Sequence, residues 1–181
     1  LFIDSLSLEN AISMGFLRKY HYELKQIDID FDSTGNLSDD ARDLWNDFQK
    51  QKRIASPEIA VSCLSTKRRV LTYTGPHIVQ LQPVLENMQG LWNLSENSPV
   101  LFKRMTGREL PPEREVIIQE FNTGITRGLV AIRVLDEGVD LPVSDAAVMA
   151  KSKASYRQWT QRRGRILRKK LESDQSTAVI Y

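Results

Sequence analysis

The sequence predicts a single α/β domain built on a parallel sheet with helices on both faces. Short apolar runs, partly β-branched and of the length of buried strands, recur along residues 66–181. Between several of them, apolar residues recur every three or four positions, as they do on one face of a helix. Strands that alternate with helices form βαβ units, which place the strands in parallel. The chain's 181 residues, 41% of them hydrophobic, suffice for one such core.

Five apolar runs are predicted to be the strands of this sheet. They cover residues 69–73, 100–104, 128–134, 145–149 and 177–181. Parallel α/β sheets bind their ligands at the loops that leave the carboxyl ends of the strands. We therefore expect the chemistry in the loop after Val134 and in the helix after Met149.

Two helices are predicted between these strands. The first begins near Pro76, because proline is favoured in a first helical turn, and its apolar positions then follow a helical spacing. The second begins at Pro111, carries acidic residues in its first turn, buries Ile117 and Phe121, and ends near Gly124. Turn-forming residues in the stretch 90–99 predict a surface loop.

Residues 1–65 are predicted to be an appendage that leads into the sheet. A short helix is expected from Ser7, and the alternation of apolar and polar residues within 22–31 is typical of an edge strand. A polar helix is expected over residues 41–53. The side chains expected to face inward from it are Leu44, Trp45 and Phe48.

Composition excludes several classes of protein. No stretch approaches the roughly 18 apolar residues of a membrane span, and the first residues are acidic where a signal peptide would be basic. We therefore expect a cytosolic or nuclear protein without a membrane partner. The single cysteine, Cys63, rules out an intrachain disulfide and, with two distant histidines, cannot build a zinc site. It is expected to be a small buried residue.

The basic charge is concentrated in one segment of the chain. Residues 151–170 hold nine Lys or Arg and no acid, whereas the rest of the chain has a net charge of −7. A dense basic segment on an acidic body is typical of a site for a polyanion, either phosphate or nucleic acid.

Three arginines in this segment, Arg162, Arg165 and Arg168, recur every third residue around Gly164. On a helix they would lie along one side. Planar guanidinium groups suit a transferring phosphoryl group, whose charge spreads over three equatorial oxygens. From the spacing alone, a solvated basic helix end remains an open alternative.

The pattern Gln161-Arg162-x-Gly164-Arg165-x-x-Arg168 resembles motif six of superfamily-two helicases. Upstream of it, residues 130–142 resemble motif five of that family, in which a strand runs into a turn that ends in Gly-x-Asp.

Two further segments resemble the same family. Residues 69–75 resemble motif four, and Thr106-Gly107, followed by Arg114 and Phe121, is similar to the T-G…R…F stretch between motifs four and five. The nearest subgroup contains restriction-enzyme motor subunits and XPB-like DNA repair helicases.

The resemblance implies the second RecA-like domain, with a P-loop NTPase-like fold, of an ATP-driven helicase or translocase. Arg165 and Arg168 would be arginine fingers that reach the γ-phosphate of ATP bound by the preceding RecA-like domain, and Gln161 would sense that phosphate. The residues implied to lie at the nucleotide cleft are Gly138, Asp140 and Arg162. Those implied to hold the nucleic-acid backbone are Thr106, Gly107, Arg133 and Thr74.

One position departs from the family pattern. Ile132 stands where the family usually has Thr, so a hydroxyl contact to phosphate is lost, and Arg133 or a backbone amide can replace it. For Asp136 and Glu137, a solvated turn is an equally open interpretation.

Two elements of an ATPase are missing from the sequence. It contains no G-x-x-x-x-G-K-[ST] phosphate loop, and Asp136-Glu137 follows the wrong strand to serve as the magnesium-binding box. We therefore expect this chain alone to bind ATP poorly and to hydrolyse none, with ATP and Mg²⁺ held mainly by the preceding domain. DNA is the expected partner, with RNA as the second choice. The alternative is a non-catalytic RecA-like module that binds nucleic acid or a protein.

Overall fold

The computed structural model describes residues 7–23, 26, 37–66, 69–75, 77–95, 101–132, 144–150, 160, 162–164, 166–169 and 177–181. Helices and strands alternate along these residues. The helices are α1 (Leu8–Ser13), α2 (Leu37–Thr66), α3 (Ile78–Ser95) and α4 (Pro111–Thr123). The strands are β1 (Tyr20–Tyr22), β2 (Val70–Tyr73), β3 (Leu101–Met105), β4 (Thr126–Ala131), β5 (Ala146–Met149) and β6 (Ala178–Ile180).

The strands form one sheet in the order β1-β6-β5-β2-β4-β3, and every pairing in it is parallel. Each of the five predicted strands is present, and its ends differ from the predicted ones by at most three residues. The predicted α/β class with a parallel sheet is therefore confirmed.

Side chains of the central strand β2 alternate between the two faces of the sheet. Val70 packs beneath α2 and α3, and the Thr72 hydroxyl lies 3.9 Å from the Met88 sulfur of α3. Leu71 and Tyr73 point to the opposite face, which carries α4, α1 and the residues 162–164 and 166–169, here called the arginine-rich segment. Both faces are thus covered, as all-parallel sheets require.

Helix α4 follows its sequence signals closely. It begins at Pro111, the Glu113 carboxylate accepts a hydrogen bond from the Leu110 N–H at 3.0 Å, and Gly124 ends it in the left-handed region at φ 85°. Phe121 is fully buried and Ile117 is partly buried against the same core. This prediction is confirmed.

The surface loop predicted over residues 90–99 is wrong for residues 90–95, which continue α3. Trp92 is only 2% exposed, and its ring lies 6.3 Å from that of Phe102 in a T-shaped contact. Burial of a large aromatic side chain outweighs the weak helix propensity of Gly90 and Asn93. Residues 96–99 lie outside the described part of the chain.

Helix α2 is longer than predicted, and the residues that it buries differ from those predicted to face inward. It continues through Pro57 to Thr66, and apart from Asp40 its buried positions lie between Ser56 and Leu64. Leu44 and Trp45, which were expected to face inward, are 41% and 40% exposed, and Phe48 is partly buried. The inward orientation of the first two is therefore wrong, because only the second half of α2 lies over the short strands.

The first part of the chain contributes to the same layers. Ser7 caps α1 by accepting a hydrogen bond from the Asn10 N–H at 3.1 Å, and the edge strand β1 pairs with β6 through Tyr20 to Tyr22. The stretch predicted as an edge strand, 22–31, overlaps β1 only at Tyr22, and Glu23 and Gln26 lie in no strand. Residues 24, 25 and 27–36 lie outside the described residues. The division into an appendage and a main domain stays a prediction.

Two compositional expectations can be compared with the structure. Cys63 is buried at 3% exposure in the core, as predicted. None of the described helices is both long enough and apolar enough to cross a membrane.

Candidate functional site

The carboxyl ends of the inner strands and of the edge strand β3 meet at one edge of the sheet, here called the carboxyl edge. Tyr73 of β2 is in register with both Ala131 of β4 and Met149 of β5, and Ala131 is also in register with Met105 of β3. Hydrogen bonding continues one residue further, because the Thr74 N–H donates to the Ala131 carbonyl at 2.9 Å. Segments far apart in sequence are thereby brought together.

The arginine-rich segment lies on the face of the sheet that carries α4. Ile166 and Leu167 are fully buried in that core. The guanidinium carbon of Arg162 lies 4.7 Å from the centre of the Tyr73 ring, in a cation–π contact, and Arg162 is only 5% exposed. Arg162 thus ties the segment to β2, while its predicted place at the nucleotide cleft stays a prediction.

Arg18, which the sequence analysis did not single out, holds the far end of this segment. Its guanidinium donates to the carbonyls of Ile166 at 2.5 Å and Ser144 at 2.6 Å, and the residue is 2% exposed. Its backbone N–H also donates to the Leu167 carbonyl at 2.8 Å. Nothing local in the sequence marks Arg18, because its partners are more than 120 residues away.

Arg168 follows directly and is itself exposed. Its backbone forms an isolated antiparallel bridge with Leu17, next to the Arg18 contacts. The backbone of Arg168 is therefore tied to Leu17, while the predicted role of its side chain stays a prediction.

Thr106 and Gly107 form a turn at the end of β3 whose donors converge on one carboxylate. Glu109 accepts from the Thr106 N–H at 3.0 Å, the Thr106 hydroxyl at 2.7 Å and the Gly107 N–H at 2.8 Å. Gly107 has φ 87°, a conformation that favours glycine. The Glu109 carboxylate occupies these donors in the structure, so an oxygen of a phosphate could accept from them only by displacing it.

The same hydrogen bonds govern the ionisation of Glu109. Burial by itself would raise the pKa of this carboxyl group, but the bonds from Thr106 and Gly107 outweigh it and lower the pKa below its ordinary value of 4.5. Arg114 steadies the turn by donating to the Glu109 carbonyl at 3.3 Å. The turn is therefore a preorganised binder of negative charge.

Two predicted positions at the carboxyl edge are buried. The Thr74 hydroxyl donates to the Ala131 carbonyl at 3.4 Å and the residue is 5% exposed, so a contact with nucleic acid stays a prediction. Ile132, where the family usually has Thr, is 8% exposed and packs in the core beneath α2 and α3. Ile132 therefore contributes to core packing at a position where the family usually has the hydroxyl group of a threonine.

The remaining predicted site residues cannot be placed. Those that lie outside the described residues are Gln161, Arg165, Gly138, Asp140, Arg133, Asp136 and Glu137. In the part of the chain that is described, no group of three or more His, Cys, Asp or Glu side chains could hold a metal ion.

Comparison with known proteins gives a family match over more than half of the chain. The model of the helicase conserved C-terminal domain matches residues 61–170. A DNA 3′-5′ translocase, XPB2 of Sulfurisphaera tokodaii, is 50% identical over 58 residues, which is 32% of this chain and 13% of that protein.

Solved structures show the same fold. The ATP-dependent Type ISP restriction-modification enzyme LlaBIII bound to DNA matches 94% of this chain and 12% of its own, with a TM-score of 0.64 and 16% identity. The DUF1998 helicase MrfA bound to DNA matches 71% of this chain and 16% of its own, with a TM-score of 0.61 and 22% identity. This chain therefore spans less than a fifth of the length of each of these proteins.

Proposed function

The chain belongs to the helicase conserved C-terminal domain family, and from this membership we propose that it is the second motor domain of an ATP-dependent DNA translocase or helicase. DNA is favoured over RNA because XPB2, with which it shares 50% identity over 58 residues, is a DNA 3′-5′ translocase. Repair and restriction are the two pathways suggested by the proteins it resembles. The preceding RecA-like domain is proposed to be its partner within the same protein.

The observation that carries the proposal is the fixed position of the arginine-rich segment. Arg18 binds the Ile166 carbonyl, Arg162 lies over the Tyr73 ring, and the backbone of Arg168 is paired with Leu17. An arginine that stabilises a transition state must be held in place beforehand, because reorganisation during the reaction would consume part of its effect. A solvated helix end has no need of such anchoring.

In the proposed mechanism, closure of the two domains brings Arg165 and Arg168 to the γ-phosphate of ATP. Their guanidinium groups meet the negative charge that spreads over the equatorial oxygens as the phosphoryl group transfers. Gln161 is proposed to sense the same phosphate, and Gly138, Asp140 and Arg162 to line the nucleotide cleft.

The preceding domain is proposed to supply the remaining parts of the ATP site. This chain lacks a phosphate loop, and its described residues include no cluster of metal ligands. Mg²⁺ held by the other domain would neutralise the charge of the phosphates. This chain alone is accordingly proposed to hydrolyse no ATP.

The nucleic-acid track is proposed to run along the carboxyl edge. The turn at Thr106 and Gly107 supports this, because its N–H groups, which donate to Glu109 in the structure, would suit a backbone phosphate that displaces this carboxylate. Arg133 and Thr74 are proposed to contact the same strand. Opening of the cleft after hydrolysis would move the two domains along it.

ATP hydrolysis by the chain joined to its preceding domain tests this proposal. Activity should rise with single-stranded DNA, double-stranded DNA or RNA, and the stimulating polymer identifies the track. Arg168→Ala should lower hydrolysis by about 10³- to 10⁵-fold, while ATP binding changes little. Arg42→Ala, which removes an arginine from the exposed face of α2, is the matched control. A folded protein that hydrolyses no ATP with any polymer would instead indicate a non-catalytic binding module.

A further inference from the structure

A cleft of about 340 Å³ opens at the carboxyl edge of β2, and its described lining residues do not include Arg162 or Arg168. Thr74 and Gly75, which follow β2, and Ala150, which follows β5, border it on the sheet side. The first half of α2 and Gln80 in the first turn of α3 form its other walls. Its volume falls within the range of small-ligand pockets, about 300–1,000 Å³.

Three side chains of α2 lie along the wall of this cleft. Trp45, Gln49 and Arg53 are spaced four residues apart, so they share one face of the helix. They precede the buried half of α2, which begins at Ser56, and Trp45 is 40% exposed. This part of α2 therefore extends beyond the sheet and presents its side chains to the carboxyl edge rather than to the core.

Gln49 carries an unsatisfied donor at this wall. Its side-chain nitrogen is buried and has no hydrogen-bond partner among the described residues. Buried polar groups in folded proteins nearly always form a hydrogen bond. An unpaired donor in the wall of a cleft therefore indicates that a ligand in the cleft supplies the acceptor.

The composition of the cleft identifies the chemistry of that ligand. The lining side chains include one aromatic ring, one guanidinium and three carboxamides, those of Asn46, Gln49 and Gln80, and the described lining residues include no carboxylate. Aromatic rings stack on bases, carboxamides donate to and accept from base edges, and a guanidinium pairs with phosphate. A phosphate would pair with the guanidinium, whereas the ring and the carboxamides are suited to a base.

We propose that this cleft binds one nucleobase of a single strand that passes along the carboxyl edge. The base stacks on Trp45, its polar edge bonds to the Gln49 carboxamide, and Arg53 faces the adjoining phosphate. This site rests on the proposed function, which brings a strand to the same edge. Four of its described lining residues, Trp45, Asn46, Gln49 and Arg53, lie on α2 before residue 61, where the match to the helicase family begins.

Binding of two short oligonucleotides of equal length tests the site, one of oligo-dT and one with an abasic backbone. The chain joined to its preceding domain is titrated with each, without ATP, and the change in fluorescence anisotropy gives the affinity. Trp45→Ala should weaken oligo-dT binding on the order of tenfold or more, because one stacked base is lost. Its affinity for the abasic strand should not change.

Two further variants make the result specific. Leu44→Ala removes a neighbouring side chain of α2 that is 41% exposed and does not line the cleft, so both affinities should stay at the wild-type value. Gln49→Met keeps the length of the side chain and breaks no described hydrogen bond of its nitrogen, so it should fold and also weaken oligo-dT binding alone.

The outcomes separate this site from the motor proposal. If the wild type binds oligo-dT and neither Trp45→Ala nor Gln49→Met weakens this binding, the proposed site is overturned. The motor proposal would then still stand. An equal loss on both oligonucleotides would show that the variants act on the backbone track and would also overturn it. A wild-type protein that binds neither oligonucleotide would overturn this site, whereas the motor proposal is decided separately by ATP hydrolysis with each polymer.

Discussion

Arg18 is a buried arginine whose hydrogen bonds join segments that are remote in sequence. Its guanidinium donates to the carbonyls of Ser144 and Ile166, so its removal would leave two buried acceptors without partners. We expect Arg18→Met to lower the free energy of unfolding by about 2–4 kcal/mol, because hydrogen bonds from charged groups are among the stronger ones.

Urea denaturation measures this loss. Arg42→Met is the control, since the side chain of Arg42 is 69% exposed and its replacement should change stability by no more than about 0.5 kcal/mol. Equal stability of the two variants would contradict a structural role for Arg18.

The lowered pKa of Glu109 predicts that the stability of the folded protein changes with pH in acidic solution. Its pKa is lowered in the folded state by hydrogen bonds from Thr106 and Gly107, which outweigh the effect of burial. A lowered folded pKa contributes stability above the unfolded pKa, and this contribution is lost as the pH falls through the folded value. The stability difference between wild type and Glu109→Gln should therefore be constant above about pH 5 and shrink in more acidic solution.

Chemical denaturation at a series of pH values checks this expectation. Glu115→Gln, on the exposed surface of α4, is the matched control because it removes the same charge without touching the turn. If both variants show the same pH profile relative to wild type, the hydrogen bonds at Thr106 and Gly107 do not stabilise the charged carboxylate.

At the scale of the elements, the contact between β3 and β4 depends on a glycine. Gly128 of β4 is in register with Phe102 of β3, and a Cβ atom at Gly128 would lie 2.3 Å from the Phe102 ring. That ring is itself packed against Trp92, so it has little room to move. We expect Gly128→Ala to destabilise the protein by about 1–3 kcal/mol through overpacking.

Gly90 in α3 is the matched control for this substitution. An added Cβ there would meet no atom within 4 Å, and the residue is part of a regular helix. Gly90→Ala should therefore stabilise the protein by about 0.5–1 kcal/mol, because alanine has the higher helix propensity. Thermal unfolding that shifts in the same direction for both variants would contradict the packing described for Gly128.

The helices differ in how well local sequence predicted them. Helix α4 has proline at its start and glycine at its end, and both boundaries were predicted. Helix α3 has no comparable stop, and its last turns form because Trp92 is buried against Phe102, a contact that sequence spacing does not contain. In α2, periodicity predicted that Leu44 and Trp45 face inward, but it could not show which part of the helix lies over the described strands.

At the scale of the whole molecule, the uneven distribution of charge along the chain predicts how the affinity for nucleic acid depends on salt concentration. The segment 151–170 carries nine basic residues and the rest of the chain is acidic, so we expect affinity for a single strand to fall steeply with salt. Replacing Lys151 or Lys153 by Gln should make the plot of log affinity against log salt shallower by about 0.7 for each phosphate contact removed. Lys19→Gln, outside the segment, is the control.

Affinity measured over a range of salt concentrations decides this prediction. An unchanged slope in both variants would mean that these lysines do not contact the strand. If Lys19→Gln lowers the slope by the same amount as the two variants in the segment, the net charge of the chain governs binding rather than the segment itself.

The sequence by itself determined the α/β class, five of the strands, α4 and the family, because these depend on apolar runs, on Pro and Gly signals and on residues at fixed spacing along the chain. It also marked Arg162 and Arg168 as members of one motif. Only the tertiary structure decided the strand order, the burial of Arg18 and the cleft between α2 and Thr74. Each of these depends on which distant segments meet, and the spacing of residues along one segment carries no information about its partners in space.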